Sequence, residues 1–192
     1  MTSSLKRCWG TESPLYMSYH DEEWGVPLHD DKKLFELLIL EGFQAGLSWS
    51  LILERRSGFR EAFEGFDPSK IAKYSQKDYT RLMRAPGVIK NKAKLLSTIN
   101  NAQRFLEIKK EFGSFDNFIW KFVNGKPIDN KLESFSEMPS ETELSEAISK
   151  ELKSRGFKFV GPTICYSFMQ AIGLVNDHLT WCFRYKQIQN VK

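Results

Sequence analysis

The sequence predicts an all-α fold, on three observations. Apolar residues recur at three- and four-residue spacing through most of the chain, capping residues punctuate those runs, and no alternating strand pattern of useful length occurs. The 192 residues suggest one domain, 1–192, long enough to bury a substantial core. Asp30 and Asp31 can cap a helix with Leu34, Leu37, Leu38 and Glu41 on one face. Ala45-Gly46 breaks that helix, and Trp49, Ile52 and Leu53 resume the pattern. Asp67-Pro68 reads as an N-cap followed by Pro at the first helical position. Ser75 with Asp78 forms a capping box in which Asp replaces the usual Glu or Gln. Leu95, Ile99, Ala102 and Leu106 mark one long helix, and Phe115, Phe118, Ile119 and Phe122 a short aromatic one. The one turn-rich stretch, residues 124–140 with Pro127 and Pro139, reads as a loop within the domain. Ser140 with Glu143 predicts another capping box, ahead of Leu144, Ile148 and Leu152.

Composition narrows the function classes. Lys and Arg number 28 against 24 Asp and Glu, a net +4 that permits a nucleic-acid partner without requiring one. The longest aliphatic run, residues 37–40, is far short of the ~20 residues of a membrane span. The opening MTSSLKRC carries no apolar secretion segment, and three cysteines do not make a disulfide framework, so a soluble cytoplasmic protein is expected. Fifteen Phe, six Tyr and five Trp imply a rigid core or a surface that stacks on flat ligands.

Four metal-ligand types sit near the two chain ends. Cys8 and His20 flank a segment holding Tyr16 and Tyr19, and His178 and Cys182 are four residues apart, a spacing that shares one face of a helix. Together they make a Cys2His2 set suited to tetrahedral zinc; four protein ligands leave no open position, so the site would be structural. By spacing alone, ordinary thiols and surface histidines are the commoner arrangement. Cys165, among Ile164, Tyr166 and Phe168, reads as core, and His29 as a solvated loop residue.

Toward the C-terminus, Arg155-Gly156 closes one helix and Gly161-Pro162-Thr163 opens the next, with Gly161 as the expected tight-turn residue. Two helices joined through Phe159-Val160-Gly161 resemble a helix-hairpin-helix, spanning about 145–173, whose amides can hold a DNA phosphate without reading sequence. Lys158, Gly161 and Thr163 are the candidate phosphate contacts, with Lys153 and Arg155 adding charge. A plain antiparallel helix pair is the alternative. Lys90, Lys92 and Lys94 form a second basic stripe, expected on a solvated face.

Glu41 breaks the apolar face set by Leu34, Leu37 and Leu38. A carboxylate on a buried face is costly unless paired or put to use. With Gln44, Ser48 and Trp49 close in sequence and Tyr16, Tyr19 and Trp24 upstream, it suits a flat aromatic pocket for a purine, read through its exocyclic amine. A structural Glu bonded to amides or to an Arg is the competing account.

Over nearly its whole length the sequence resembles the 3-methyladenine DNA glycosylase I family of the helix-hairpin-helix glycosylase superfamily. The likeness rests on PLYMSYHDEEWGVP from Pro14, LFELLILEGFQAGLSW from Leu34 and RGFKFVGPTICYSFMQAIGLVNDH from Arg155. It implies an all-helical fold with zinc joining the N- and C-terminal segments through Cys8, His20, His178 and Cys182. It implies that Glu41 recognises the methylated adenine, Trp49 stacks on it, and Tyr19 lines the pocket and aids catalysis, with Tyr16 and Trp9 as further pocket candidates. Two departures stand out. Trp9 directly follows Cys8 where the family has a residue between them, and Ser13 replaces the usual Asp before Pro-Leu-Tyr. Asn176 stands where many glycosylases of the superfamily carry a catalytic Asp, an absence characteristic of this branch.

The implied reaction is base-excision repair: a flipped 3-methyladenine, already a good cationic leaving group, is hydrolysed from double-stranded DNA by a monofunctional, monomeric, cytoplasmic enzyme with no Lys nucleophile and no lyase step. Two other classes compete. A non-catalytic zinc-containing module that senses alkylated DNA would not need Glu41, and a zinc hydrolase would need three protein ligands and an open position.

Overall fold

The chain opens with a helix that the sequence pattern did not single out, α1 (Pro14–Glu22), capped by the Ser13 hydroxyl, which accepts from the Tyr16 amide at 3.2 Å. The Ser13 departure therefore keeps its cap. Tyr19 and His20 are the buried residues of this helix. In the computed structural model, residues 5–11 and 13–190 are described; the first four residues of the segment read for a leader, and the outer ends of the 1–192 span, lie outside them.

Helix α2 (Asp31–Gln44) is the axis of the fold: residues 34–43 are all buried, and Asp30 caps it through the Lys33 amide at 2.8 Å. After the Ala45-Gly46 break, Ser48 caps α3 (Trp49–Ala62). Asp67 caps the short α4 (Pro68–Ile71), and the Ser75–Asp78 capping box opens α5 (Gln76–Arg84), both as expected. The long helix is α6 (Lys92–Phe112). Leu95 and Ala102 are buried, but Ile99 and Leu106 are only half-buried, and the inward face runs through Thr98, Phe105 and Ile108 instead. The face is rotated because it also carries Lys94, Ser97 and Asn101 inward.

The aromatic helix α7 (Phe115–Trp120) follows, capped by Ser114. Residues 124–140 form the expected loop, with a two-residue strand β1 (Ile128–Asp129) pairing in parallel with β2 (Val175–Asn176). The next capping box is Thr142–Ser145, not Ser140–Glu143, and it opens α8 (Glu143–Ser154). Ser145 is fully buried and its short hydroxyl meets the Thr142 amide at 2.9 Å, which leaves Glu143 in the first turn, where an acid favours the helix dipole. Helix α9 (Pro162–Ala171) packs on α8 and α2, and α10 (Phe183–Ile188) ends the described chain.

Between α8 and α9, the left-handed positions are Gly156 (φ +88°) and Phe159 (φ +56°). Gly161 does not supply the tight turn: its φ is −66°, and it serves as N-cap of α9. Cys165 is buried as expected, and His29, though exposed, is tied to Asp116 at 2.8 Å and stacked on Trp120. The main core gathers α2, α3 and α6 to α9, while a smaller cluster joins Cys8, Tyr19 and Trp24 to Leu179 and Cys182. Trp49 and Met138 touch both clusters.

Candidate functional site

At that junction lies a cavity of about 220 Å³. Glu41 and Gln44 reach it from α2, Trp49 from the first turn of α3, Tyr16 and Tyr19 from α1, and Ser167 and Gln170 from α9, with Trp9 and Trp24 completing the wall. Glu41 is 2% exposed, and its Oε2 has no hydrogen-bond partner. Burial alone pushes its carboxyl up to about 8. Glu36, five residues earlier on the same helix, shows what a structural buried acid looks like here: Arg56 holds it at 2.5 Å and Arg60 at 2.8 Å. The expectation of an unpaired acid on the buried face therefore applies to Glu41 and not to its neighbour.

The walls are aromatic. Tyr19 and Trp49 lie 5.3 Å apart between ring centroids, and Trp9 meets Tyr16 at 5.7 Å and Trp24 at 5.0 Å, both edge to face. The immediate Cys8-Trp9 succession thus still delivers Trp9 to the cavity. The Trp49 indole Nε1 is buried without a partner, a donor orphan beside the Glu41 acceptor orphan. Burial, reinforced by Glu41, pushes the Tyr19 phenol well above its usual value, so it remains a donor. Gln170 is fixed from behind, donating to Asp177 at 2.7 Å; Asp177 also accepts from Tyr166 and Asn130. Asn176 is spent as well, donating to the Tyr185 carbonyl and accepting from the His178 amide. Ser167 and Gln170 were not foreseen. Their i, i+3 placement as polar groups in an otherwise apolar run was the available signal.

A second cluster backs the cavity. Cys8, His20, His178 and Cys182 are all buried, with ligand atoms within 4.8 Å of one another, and together could hold a metal ion. Cys8 Sγ lies 3.3 Å from His20 Nε2 and 3.7 Å from His178 Nδ1; Cys182 Sγ lies 3.5 Å and 3.6 Å from the same atoms. The far ring nitrogens are oriented by Asp21 at 2.7 Å and the Trp24 carbonyl at 3.0 Å, and Arg7 grips Asp21 in turn. His178 and Cys182 do not share a helix face as expected. His178 sits in the loop after β2 and Cys182 is the N-cap of α10, so the loop path brings them together.

The expected basic surface is only partly present. Lys158 is exposed, though its own amide donates to Asn101. Gly161 faces open space, and Thr163 is exposed with its hydroxyl donating to Glu141 at 3.2 Å. Arg155 is tied to Glu111 and Glu151, so it adds no free charge. Lys94 is not on a solvated face: it is 6% exposed and donates to the Phe43 and Ala45 carbonyls at the end of α2.

The fold and the cavity define a mostly helical protein with an aromatic-walled cavity that holds one buried, unpartnered carboxyl oxygen. The methyladenine glycosylase family model matches residues 9–185, and the chain belongs to that family. It is 49% identical over 182 residues to DNA-3-methyladenine glycosylase 1 of Escherichia coli (strain K12), covering 94% of this chain and 97% of that one. The DNA-3-methyladenine glycosylase of Haemophilus influenzae is 50% identical over 177 residues, 92% of this chain and 96% of its own. A structure on 3-methyladenine recognition by the Staphylococcus aureus enzyme superposes with a TM-score of 0.90 at 42% identity, covering 94% of this chain and 97% of that one.

Proposed function

We propose that this chain is a base-excision-repair hydrolase that cleaves the N-glycosidic bond of 3-methyladenine in alkylated double-stranded DNA and releases the free base. The observation that carries this is the buried, partnerless Glu41 Oε2 at the floor of the aromatic cavity. An acid left unpaired in a fold that pairs Glu36 is an acid kept for a ligand.

The base leaves the duplex and enters the cavity lined by Trp49 and the α1 tyrosines. Stacking worth ~1–3 kcal/mol per base offsets part of the flipping cost. Glu41 accepts from the exocyclic amine. Its proton, held in the empty cavity by burial, departs when the cationic lesion arrives, because an opposite charge favours the carboxylate. Tyr19 donates from the wall; Tyr16 and Trp9 shape it. Water then forms a bond to the anomeric carbon as the C–N bond breaks, its electron pair neutralising the departing base and the water's proton passing to solvent. No lysine nucleophile takes part, so the reaction stops at an abasic site.

Zinc suits the four-ligand cluster. Bonds of about 2.3 Å to sulfur and 2.0–2.1 Å to nitrogen in a tetrahedron separate unlike ligands by about 3.5 Å; the four sulfur–nitrogen separations here run from 3.3 to 3.7 Å. A closed Cys2His2 site supplies cross-linking only. The α8–α9 pair, about 145–173 within a single 1–192 domain, serves as the helix-hairpin-helix, with Lys158, Gly161 and Thr163 toward the phosphates. The chain acts as a monomer in the cytoplasm.

The test is release of free 3-methyladenine from alkylated duplex DNA by the wild type and by Glu41→Gln. The variant should lose excision while keeping DNA binding and metal content. Unchanged excision would overturn the assignment of Glu41.

A further inference from the structure

Helix α6 carries two buried polar side chains that reach beyond their own helix. Lys94 ends on the Phe43 and Ala45 carbonyls, at 2.8 and 2.6 Å, where α2 finishes. Two turns along, Asn101 is 3% exposed and pairs with both backbone polar groups of one residue of the α8–α9 turn, Lys158. Its Nδ2 donates to the Lys158 carbonyl at 2.9 Å, and its Oδ1 accepts from the Lys158 amide at 2.9 Å. Asn100 adds a bond to the Gly156 carbonyl at 2.8 Å. A side-chain amide paired with both the N–H and the C=O of one residue restrains the two peptide groups that flank its Cα, as a neighbouring strand would.

It does so where the backbone most needs holding. Phe159, the next residue, is in the left-handed region at φ +56°, unusual for a bulky side chain. Phe159 also packs against α2: a Cβ added to Gly42 would lie 3.3 Å from that of Phe159. One helix therefore grips both the end of the element that carries Glu41 and the turn assigned to the DNA backbone.

We infer that Asn101 is a positioning residue for DNA engagement. By holding the backbone on both sides of Lys158 it sets the turn at the distance from the Glu41 cavity that a nucleotide requires when its backbone is anchored and its base inserted. Asn101 touches neither base nor reacting atoms. This inference rests on the reading of the α8–α9 turn as the DNA contact.

The experiment measures three quantities: KM and kcat for excision from alkylated duplex DNA, affinity for free 3-methyladenine, and the unfolding midpoint. Asn101→Leu removes both bonds at similar volume, and Asn101→Asp keeps the acceptor for the Lys158 amide. Asn101→Leu should raise KM about tenfold, the scale of losing one or two such bonds, with kcat and free-base affinity within about twofold. Asn101→Asp should fall between. If Asn101→Leu does not fold, Asn101→Asp carries the test with the same readouts. A purely structural residue would lower kcat and free-base affinity together with stability, and that result, or an unchanged KM, overturns the inference. Lys158→Glu run alongside separates the two levels: if it leaves KM unaltered, the turn is not the DNA contact and the inference falls with that reading.

Discussion

Glu41→Gln should stabilise the folded protein, and by an amount that grows with pH. In the fold the Glu41 carboxyl holds its proton up to about 8, against the usual 4.5 of an exposed Glu. Unfolding between those values releases a proton, so raising the pH favours the unfolded chain. The stability is fully present below about pH 4.5 and is lost as the pH rises through about 8. At about 1.4 kcal/mol per pH unit, the loss is roughly 3 kcal/mol by neutral pH and roughly 5 kcal/mol once the carboxyl has ionised. A glutamine in the same cavity has unsatisfied polar atoms too, but their cost does not change with pH. Groups remote from the substitution contribute alike to both proteins and cancel in the difference. Urea unfolding of both proteins, repeated from about pH 5 to about pH 9, gives that difference directly. A gap that stays constant, or narrows as the pH rises, would refute the claim that Glu41 is held uncharged by burial.

Other expectations follow from the same geometry. Trp49→Ala should lower excision by roughly 5- to 150-fold, the equivalent of ~1–3 kcal/mol of stacking, and Trp49→Phe by less, measured as kcat/KM on alkylated duplex DNA. Chelation of zinc added to the protein, or His178→Ala, should lower the thermal midpoint and broaden the transition, as well as reduce activity, because the cluster that would hold the ion joins the N- and C-terminal segments; retention of the midpoint with loss of activity would instead indicate a catalytic metal. Arg56→Met should cost about 3 kcal/mol, since it leaves the buried Glu36 with Arg60 alone, while free 3-methyladenine binding persists; calorimetric unfolding and base titration check the two halves.

The parts of this molecule that were legible in sequence are those decided locally. The caps at Asp30, Asp67 and Ser75 could be read directly, as could the misplaced acid at Glu41, because helical phase needs only a few neighbours. What escaped depends on distant partners. Lys94 reads as a surface lysine until the end of α2 supplies two carbonyls for it. Arg155 reads as free charge until Glu111, far away in sequence, occupies it. His178 and Cys182 do come together with Cys8 and His20, although the helix expected to carry the pair is a loop, since several backbone paths converge two side chains four residues apart. Thr142 displaced Ser140 as cap because the buried position suits Ser145 three residues on. Glu41, Trp49, Tyr16, Tyr19 and Trp24 could be grouped around one cavity from helical phase and aromatic content, whereas Trp9 joined them only through the family resemblance, because no local pattern aims the residue after Cys8 at that cavity.

The Cys2His2 cluster also ties the enclosure of the cavity to a contact between two distant stretches of chain. Cys8 and His178 are 170 positions apart, so the cluster closes a loop that encompasses almost the whole polypeptide. Trp9 and α1, which adjoin Cys8 and His20, form one wall of the Glu41 cavity, and α1 also packs on α3. That wall is therefore held twice: by a near contact, Tyr19 on Trp49, and by the most distant one, Cys8 with His178. Loosening the second leaves the acid only partly enclosed.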